Sequence, residues 1–287
     1  MPLQATDAQR LILETEDLPP LPQVATQLLT VIQSGDDTEQ DRLRDIVEQD
    51  PGLTARVMGW ANSAYFGTRG NVRNLDRAIF GIIGLRTTSS LVLSIVLSRV
   101  FNTRHCPSFD LTGYWYRSLL TAHCAREAAP LNKPAMDPED IFLGGLLHNL
   151  GLLLLVHLLP REMDALFESL GECDDADLRK AEKRELGLDH AEAGAILSQR
   201  WHLPEEVVNV ISHYSASRPP RGMEKAGLVG FCRKQVDRLL LCESKKADQF
   251  TLRTPAWLHI GQAEWRGVVT DLAGRREALR QQAEDIS

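Results

Sequence analysis

The sequence holds no Cys-x-x-Cys pair; its five cysteines stand singly at positions 106, 124, 173, 232 and 242. A zinc ribbon or a disulfide framework needs closer or paired cysteines, so neither is expected, and a reducing, cytoplasmic compartment fits best. Basic residues are not in excess either: 32 Lys+Arg stand against 39 Asp+Glu, a formal charge of −7. That balance makes nucleic acid an unlikely partner, although it leaves room for a local basic patch. No stretch alternates apolar and polar residues for long, and no Asn-Gly or Asp-Gly dipeptide occurs, so strands and tight hairpins are not expected. The N-terminal MPLQATDAQR has no basic segment leading into an apolar one, so no signal peptide is read there.

What is present is a soluble-type composition, 43% hydrophobic and 25% charged over 287 residues, enough to bury a sizeable core. One run invites a membrane reading: Phe142 to Leu159, FLGGLLHNLGLLLLVHLL, carries no formal charge and approaches spanning length. His148, Asn149 and His157 interrupt it, Pro160 closes it, and Asp137, Glu139 and Asp140 precede it as helix-start residues. A core helix without a membrane span is the expectation, apolar on nearly all sides and therefore central in a bundle.

Helix punctuation is frequent. Asp50-Pro51, Asp137-Pro138 and Thr254-Pro255 each offer a cap followed by proline at the first helical position, and Asp189 with Glu192 forms a capping-box pattern. Between these starts apolar residues recur at threes and fours, as in Leu53, Val57, Trp60, Ala61 and Ala64. The expected fold is all-α, a two-lobed bundle of about a dozen helices. The first lobe takes residues 1–101, NTRHCPSFD (102–110) is a connector, the second lobe takes 111–244, and 245–287 is a C-terminal helical extension. Trp115 and Trp201 are expected to anchor the second core.

The sharpest chemical feature is Gly144-Gly145-Leu146-Leu147-His148-Asn149-Leu150-Gly151. Each unsatisfied polar group buried there costs about 1–3 kcal/mol, so His148 and Asn149 need partners. They form either a hydrogen-bonded core pair or the remnant of a metal site, in which the neutral Asn149 amide is a poorer ligand than a carboxylate. Near the end of the stripe from Leu53 to Ala64, Asn62 suits a turn, and Tyr65-Phe66-Gly67 suits a wedge packing one lobe on the next. Asn62, Tyr65 and Phe66 are also candidates for contact with a partner protein.

Taken together, several segments resemble the HDOD family, bacterial signalling domains related to the HD phosphohydrolases. They are Leu18-Pro19-Pro20-Leu21-Pro22; Asp50-Pro51-Gly52-Leu53-Thr54-Ala55-Arg56-Val57; Ala61-Asn62-Ser63-Ala64-Tyr65-Phe66-Gly67; Ala78-Ile79 through Gly84-Leu85 to Phe101; Gly144 to Gly151; Gly187-Leu188-Asp189-His190; and Trp201-His202-Leu203-Pro204-Glu205. The resemblance implies a helical bundle with an HD-like second lobe and no enzymatic activity. Active relatives use a His, an adjacent His-Asp pair and a later Asp to hold ions. Here Arg117 stands at the first place, His148 and Asn149 at the pair, and Cys232-Arg233 near the last, with Asp237 one turn on. His190 and His213 resemble the extra histidines of binuclear relatives. The remnant positions His148, Asn149, His190 and His213 are therefore not expected to hold a metal, and no cofactor is expected.

A guanidinium among the ligands repels a divalent ion, and Arg117 could fill the vacated volume, held by Asn149 and a carboxylate such as Asp140. Arg117, His148, His190 and His213 then become candidates for binding a small anion or nucleotide phosphate. The resemblance implies a stand-alone, non-enzymatic signal-transduction module acting through protein partners in a bacterial signalling pathway, or through a small ligand. The alternative is a divergent HD-type metal-dependent phosphohydrolase acting on nucleotides or cyclic dinucleotides.

Overall fold

The computed structural model describes residues 18–34, 38–67, 71–241 and 251–287. The MPLQATDAQR stretch, Cys242 and the boundary placed at 244/245 lie outside these residues. Among the described residues there is no strand, and fourteen α-helices carry the fold.

Three short helices open the first lobe: α1 (Gln23–Ser34), α2 (Thr38–Gln49) and α3 (Pro51–Ala61). Asp50 caps α3, its carboxylate accepting from the amides of Gly52 and Leu53, with Pro51 following. Leu53, Val57, Trp60 and Ala61 are buried, as the helical stripe requires. A 3₁₀ turn at Ala64–Phe66 and a π-helical segment at Arg77–Ile83 lead to α4 (Leu85–Ser98), which is buried along most of its length. Asn62 holds this end of the lobe together, donating to the carbonyls of Met58 and Val72 and accepting from the Val72 amide.

The second lobe is built on α5 (Leu111–Ala128), α6 (Pro138–Leu147) and α7 (Leu150–Leu158). The apolar run is thus broken at His148-Asn149. It is long and apolar enough to cross a membrane by length and composition, and 89% of it is buried inside the protein. Around it stand α8 (Pro160–Leu170), α9 (Asp175–Leu186), α10 (His190–Arg200), α11 (Glu205–His213) and α12 (Glu224–Leu241). Asp189 and Glu192 close the capping box at the start of α10. Trp115 is fully buried, and the Trp201 indole donates to the Pro19 carbonyl at 3.0 Å, fastening the Leu-Pro-Pro-Leu-Pro segment to the second lobe.

No helix begins at Thr254-Pro255, contrary to the capping pattern. The Thr254 amide and hydroxyl turn to the Gln262 side chain instead, and the chain makes a single turn there. The helices of the C-terminal region are α13 (Gln262–Gly274) and α14 (Arg276–Ile286). Both pack on α5, and α14 reaches α4 as well. The Trp60 indole donates to Asp285 at 2.8 Å, and Leu279, Ala283 and Ile286 are buried. The extension therefore belongs to the structural unit shared by the two lobes.

Candidate functional site

The polar residues of the second lobe converge on His190, the first residue of α10. Its ring is fully buried. Nδ1 lies 2.6 Å from the Glu182 carboxylate, and Nε2 lies 3.2 Å from Asp175 and 3.0 Å from the Tyr214 hydroxyl. Burial alone would strip the proton from such an imidazole, but the Glu182 and Asp175 carboxylates raise it to about 10. At neutral pH His190 is therefore an imidazolium clamped between two acids.

A second layer of charge lies beside it. Arg179 pairs with Asp175 at 3.0 Å and Asp189 at 3.3 Å. Arg233, nearly buried on α12, pairs with Asp237 one turn further on, and its Nε lies 3.7 Å from Asp175. Arg117 on α5 reaches the same Asp237 at 3.2 Å. One carboxylate thus receives two guanidiniums, and Asp237 also accepts from the amide of Asp175.

His148 stands against this network with the opposite charge state. Its Nδ1 lies 2.6 Å from the Gly145 carbonyl, so that nitrogen carries the hydrogen and Nε2 is left as a lone pair. Burial, helped by nearby Arg233, pulls its pKa down to about 3, so the ring is neutral. Its Nε2 and the Asn149 side-chain oxygen are buried without hydrogen-bond partners. The Tyr214 ring meets the His148 ring edge-on at 4.9 Å.

The structure brings together Arg117, His148, Asn149 and His190, and excludes two other expected residues. His213 is half-buried and its Nδ1 lies against the Asn209 carbonyl of its own helix; the neighbouring Tyr214 faces His190 instead. Asp140 does not hold Arg117. It pairs with Arg86 and, at 3.0 Å, with Lys225, and so ties α4 of the first lobe to the second. Sequence reasoning missed Asp175, Arg179, Glu182 and Tyr214. A signal existed: positions 175, 179 and 182 fall on one face of α9, yet in a helix this polar a buried charged face reads like a solvated one.

A dication, which the HD resemblance raises, does not fit these residues. Among the described residues no group of three or more His, Cys, Asp or Glu side chains is placed to hold a metal ion. Asp237 is taken by two guanidiniums, Asp175 by His190 and Arg179, and the residue beside His148 is an amide.

Tyr65 forms a separate junction between the lobes. Its hydroxyl accepts from Arg126 at 3.2 Å and shares a hydrogen bond of 2.5 Å with His123 Nδ1. Burial keeps His123 neutral by pushing its pKa well below the usual histidine range. The wedge is internal: Tyr65 is buried, and the Arg275 guanidinium lies 5.1 Å from its ring centre. Tyr65→Phe is expected to lower the unfolding free energy by about 1–3 kcal/mol, because it leaves the His123 nitrogen buried and unpaired. Urea unfolding at neutral pH measures this, and a change within error would remove the hydrogen bond as a stabilising element.

Comparison with known proteins gives one family and one fold. The HDOD domain model matches residues 18–217. A protein of Treponema pallidum (strain Nichols) is 28% identical over 207 residues, which make up 71% of this chain and 39% of that protein. The chain therefore spans well under half the length of that curated relative. An HDOD domain protein of unknown function from Geobacter sulfurreducens superposes with a TM-score of 0.76 at 19% identity, over 99% of this chain and 98% of the other. A protein described as a phosphohydrolase from Shewanella amazonensis SB2B gives 0.74 at 24%, over 99% of both chains. One described as a signal transduction protein from Marinobacter aquaeolei VT8 gives 0.77 at 22%, over 98% of this chain and 65% of that one. At these identities the structural likeness concerns the fold.

Proposed function

Because this chain belongs to the HDOD family, we propose that it is a regulatory module of bacterial signal transduction, acting in the cytoplasm through protein partners and catalysing no reaction. The observation that carries this reading is the convergence of Arg117 and Arg233 on Asp237. Where a phosphohydrolase needs anionic ligands around an ion, this core supplies permanent cations that the protein's own carboxylates already neutralise.

The same geometry favours a protein partner over a small anion as the input. The cavity of about 450 Å³ in front of Arg117 and Arg233 is also lined by Asp110, Glu172, Asp174 and Asp175, so four carboxylates face two guanidiniums. A free anion entering there meets a net negative wall.

The test is metal analysis of protein purified without chelator, with a phosphoester hydrolysis assay that includes nucleotides and cyclic dinucleotides. The expected result is far less than one metal ion per chain and no turnover. Stoichiometric manganese, iron or zinc, with hydrolysis abolished by His148→Ala, would establish the phosphohydrolase reading instead.

A further inference from the structure

A large cavity lies outside the polar core. It is a groove of about 1250 Å³ between the loop before α6, helix α11, the loop leading into α12 and the turn before α13. Its apolar surface comes from Met136, Pro219, Pro220, Met223 and Trp257. Trp257 and Pro219 are packed firmly: a Cβ on Gly227 of α12 would meet Pro219 at 2.6 Å and Trp257 at 3.0 Å. That wall is therefore preformed rather than assembled on binding.

The charge of the groove is sorted in one direction. Its carboxylates are engaged: Asp137 with Arg86, Glu206 with Lys225, and Glu224 accepting from the Gly222 amide. Among the described residues, Lys133, Arg218 and Arg221 line the same groove and are exposed, and no ion pair holds any of them. On a chain with a formal charge of −7, three uncommitted cations around an apolar floor form a local exception.

We propose that this groove is the docking site for an acidic segment of a partner protein, whose carboxylates meet Lys133, Arg218 and Arg221 while its apolar side chains lie against Trp257 and the prolines. Aliphatic side chains of a peptide suit the wall of Met136, Pro219, Pro220 and Met223, and the formal charge of −7 disfavours a continuous phosphate backbone, which favours a peptide over a nucleic acid. Arg218, Arg221 and Trp257 fall beyond residues 18–217, the span that the family model matches. The inference rests on the reading of the protein as a partner-binding module and names the surface that reading requires.

The test uses the full chain and fluorescence anisotropy. The probes are a labelled short glutamate-rich peptide carrying leucines, its glutamine counterpart, and a single-stranded oligonucleotide. The expected result is saturable binding of the glutamate peptide, no binding of the glutamine peptide, and weakening with added salt. The double variant Arg218→Glu, Arg221→Glu should weaken binding at least about tenfold, and Trp257→Ala should weaken it at unchanged salt dependence. Both arginines are exposed and outside any ion pair, so the double variant should retain the wild-type thermal transition. The proposal is overturned by absence of saturable peptide binding, by binding indifferent to the double substitution, or by tighter binding of the oligonucleotide. Hydrolysis in the same preparation would sink the regulatory reading while leaving peptide binding standing. Absence of both would sink the groove alone.

Discussion

His190→Ala is expected to lower the unfolding free energy by about 3–5 kcal/mol, the usual consequence of removing one partner from a buried ion pair. The residue is fully buried, and its imidazolium is the cation that faces Glu182, whose side chain is itself fully buried. Without it the fully buried Glu182 side chain loses the cation that faces it. The same variant should change the dependence of stability on pH. The folded pKa of about 10 lies above the ordinary value of 6.5, so the folded state holds a proton that the unfolded state gives up. This contribution is fully present below pH 6.5 and disappears as pH rises toward 10, by up to about 1.4 kcal/mol per pH unit. His148 acts in the opposite sense. Its folded pKa of about 3 makes stability fall as pH drops below 6.5. Wild-type stability should therefore peak near pH 6.5, and His190→Ala should flatten the alkaline limb. Urea unfolding at a series of pH values measures both limbs. An alkaline limb that is equally steep in the variant would show that His190 is not the charged group.

The second large effect concerns a residue with no side chain. Gly151, in the first turn of α7, lies against the start of α10. A Cβ there would stand 1.9 Å from the His190 carbonyl oxygen and 2.3 Å from the Gly194 amide nitrogen. Both obstacles are backbone, so no rotamer change relieves them; the helices must separate. Gly151→Ala should cost more than about 3 kcal/mol, at or above the upper end of overpacking effects, and should misplace His190 as the helices part. Loss of the cooperative thermal transition, or a far lower midpoint, is the expected result. A midpoint within a few degrees of wild type would mean that the α7–α10 contact is looser than the structure places it. By contrast, a Cβ on Gly267 would meet nothing within 4 Å. Gly267→Ala therefore serves as the control, expected to be neutral or mildly stabilising.

Much of the architecture could be read locally. Asp50, Asp137 and Asp189 cap helices as expected because a cap depends on a carboxylate and the amides two or three residues on. Thr254-Pro255 has the same local pattern and fails, because Gln262, eight positions away, takes the threonine's hydrogen-bonding groups. The core site shows the same division. His148 and Asn149 were visible as polar residues that an apolar helix must accommodate, and the resemblance pointed to Arg117, His190 and Asp237. Their pairing was not visible. Asp140 and Asp237 both offered a carboxylate for Arg117, and only the packing of α5 against α12 brings Asp237 within reach. His213 and Tyr214 are adjacent, and a turn of about 100° per residue points them in different directions. Which one faces His190 depends on how α11 is rotated in the bundle.

The sequence by itself determined an all-helical chain, the helix starts after Asp50, Asp137 and Asp189, the burial of the Phe142–Leu159 run and the family, because these depend on periodicity, capping and motifs. The tertiary structure decided that α14 bridges the lobes, that Asp237 rather than Asp140 holds Arg117, and that Asp175, Glu182 and Tyr214 surround His190. Those outcomes depend on helix rotation and on contacts between residues as far apart as Trp60 and Asp285, and on the low dielectric that makes each buried charge require a specific partner.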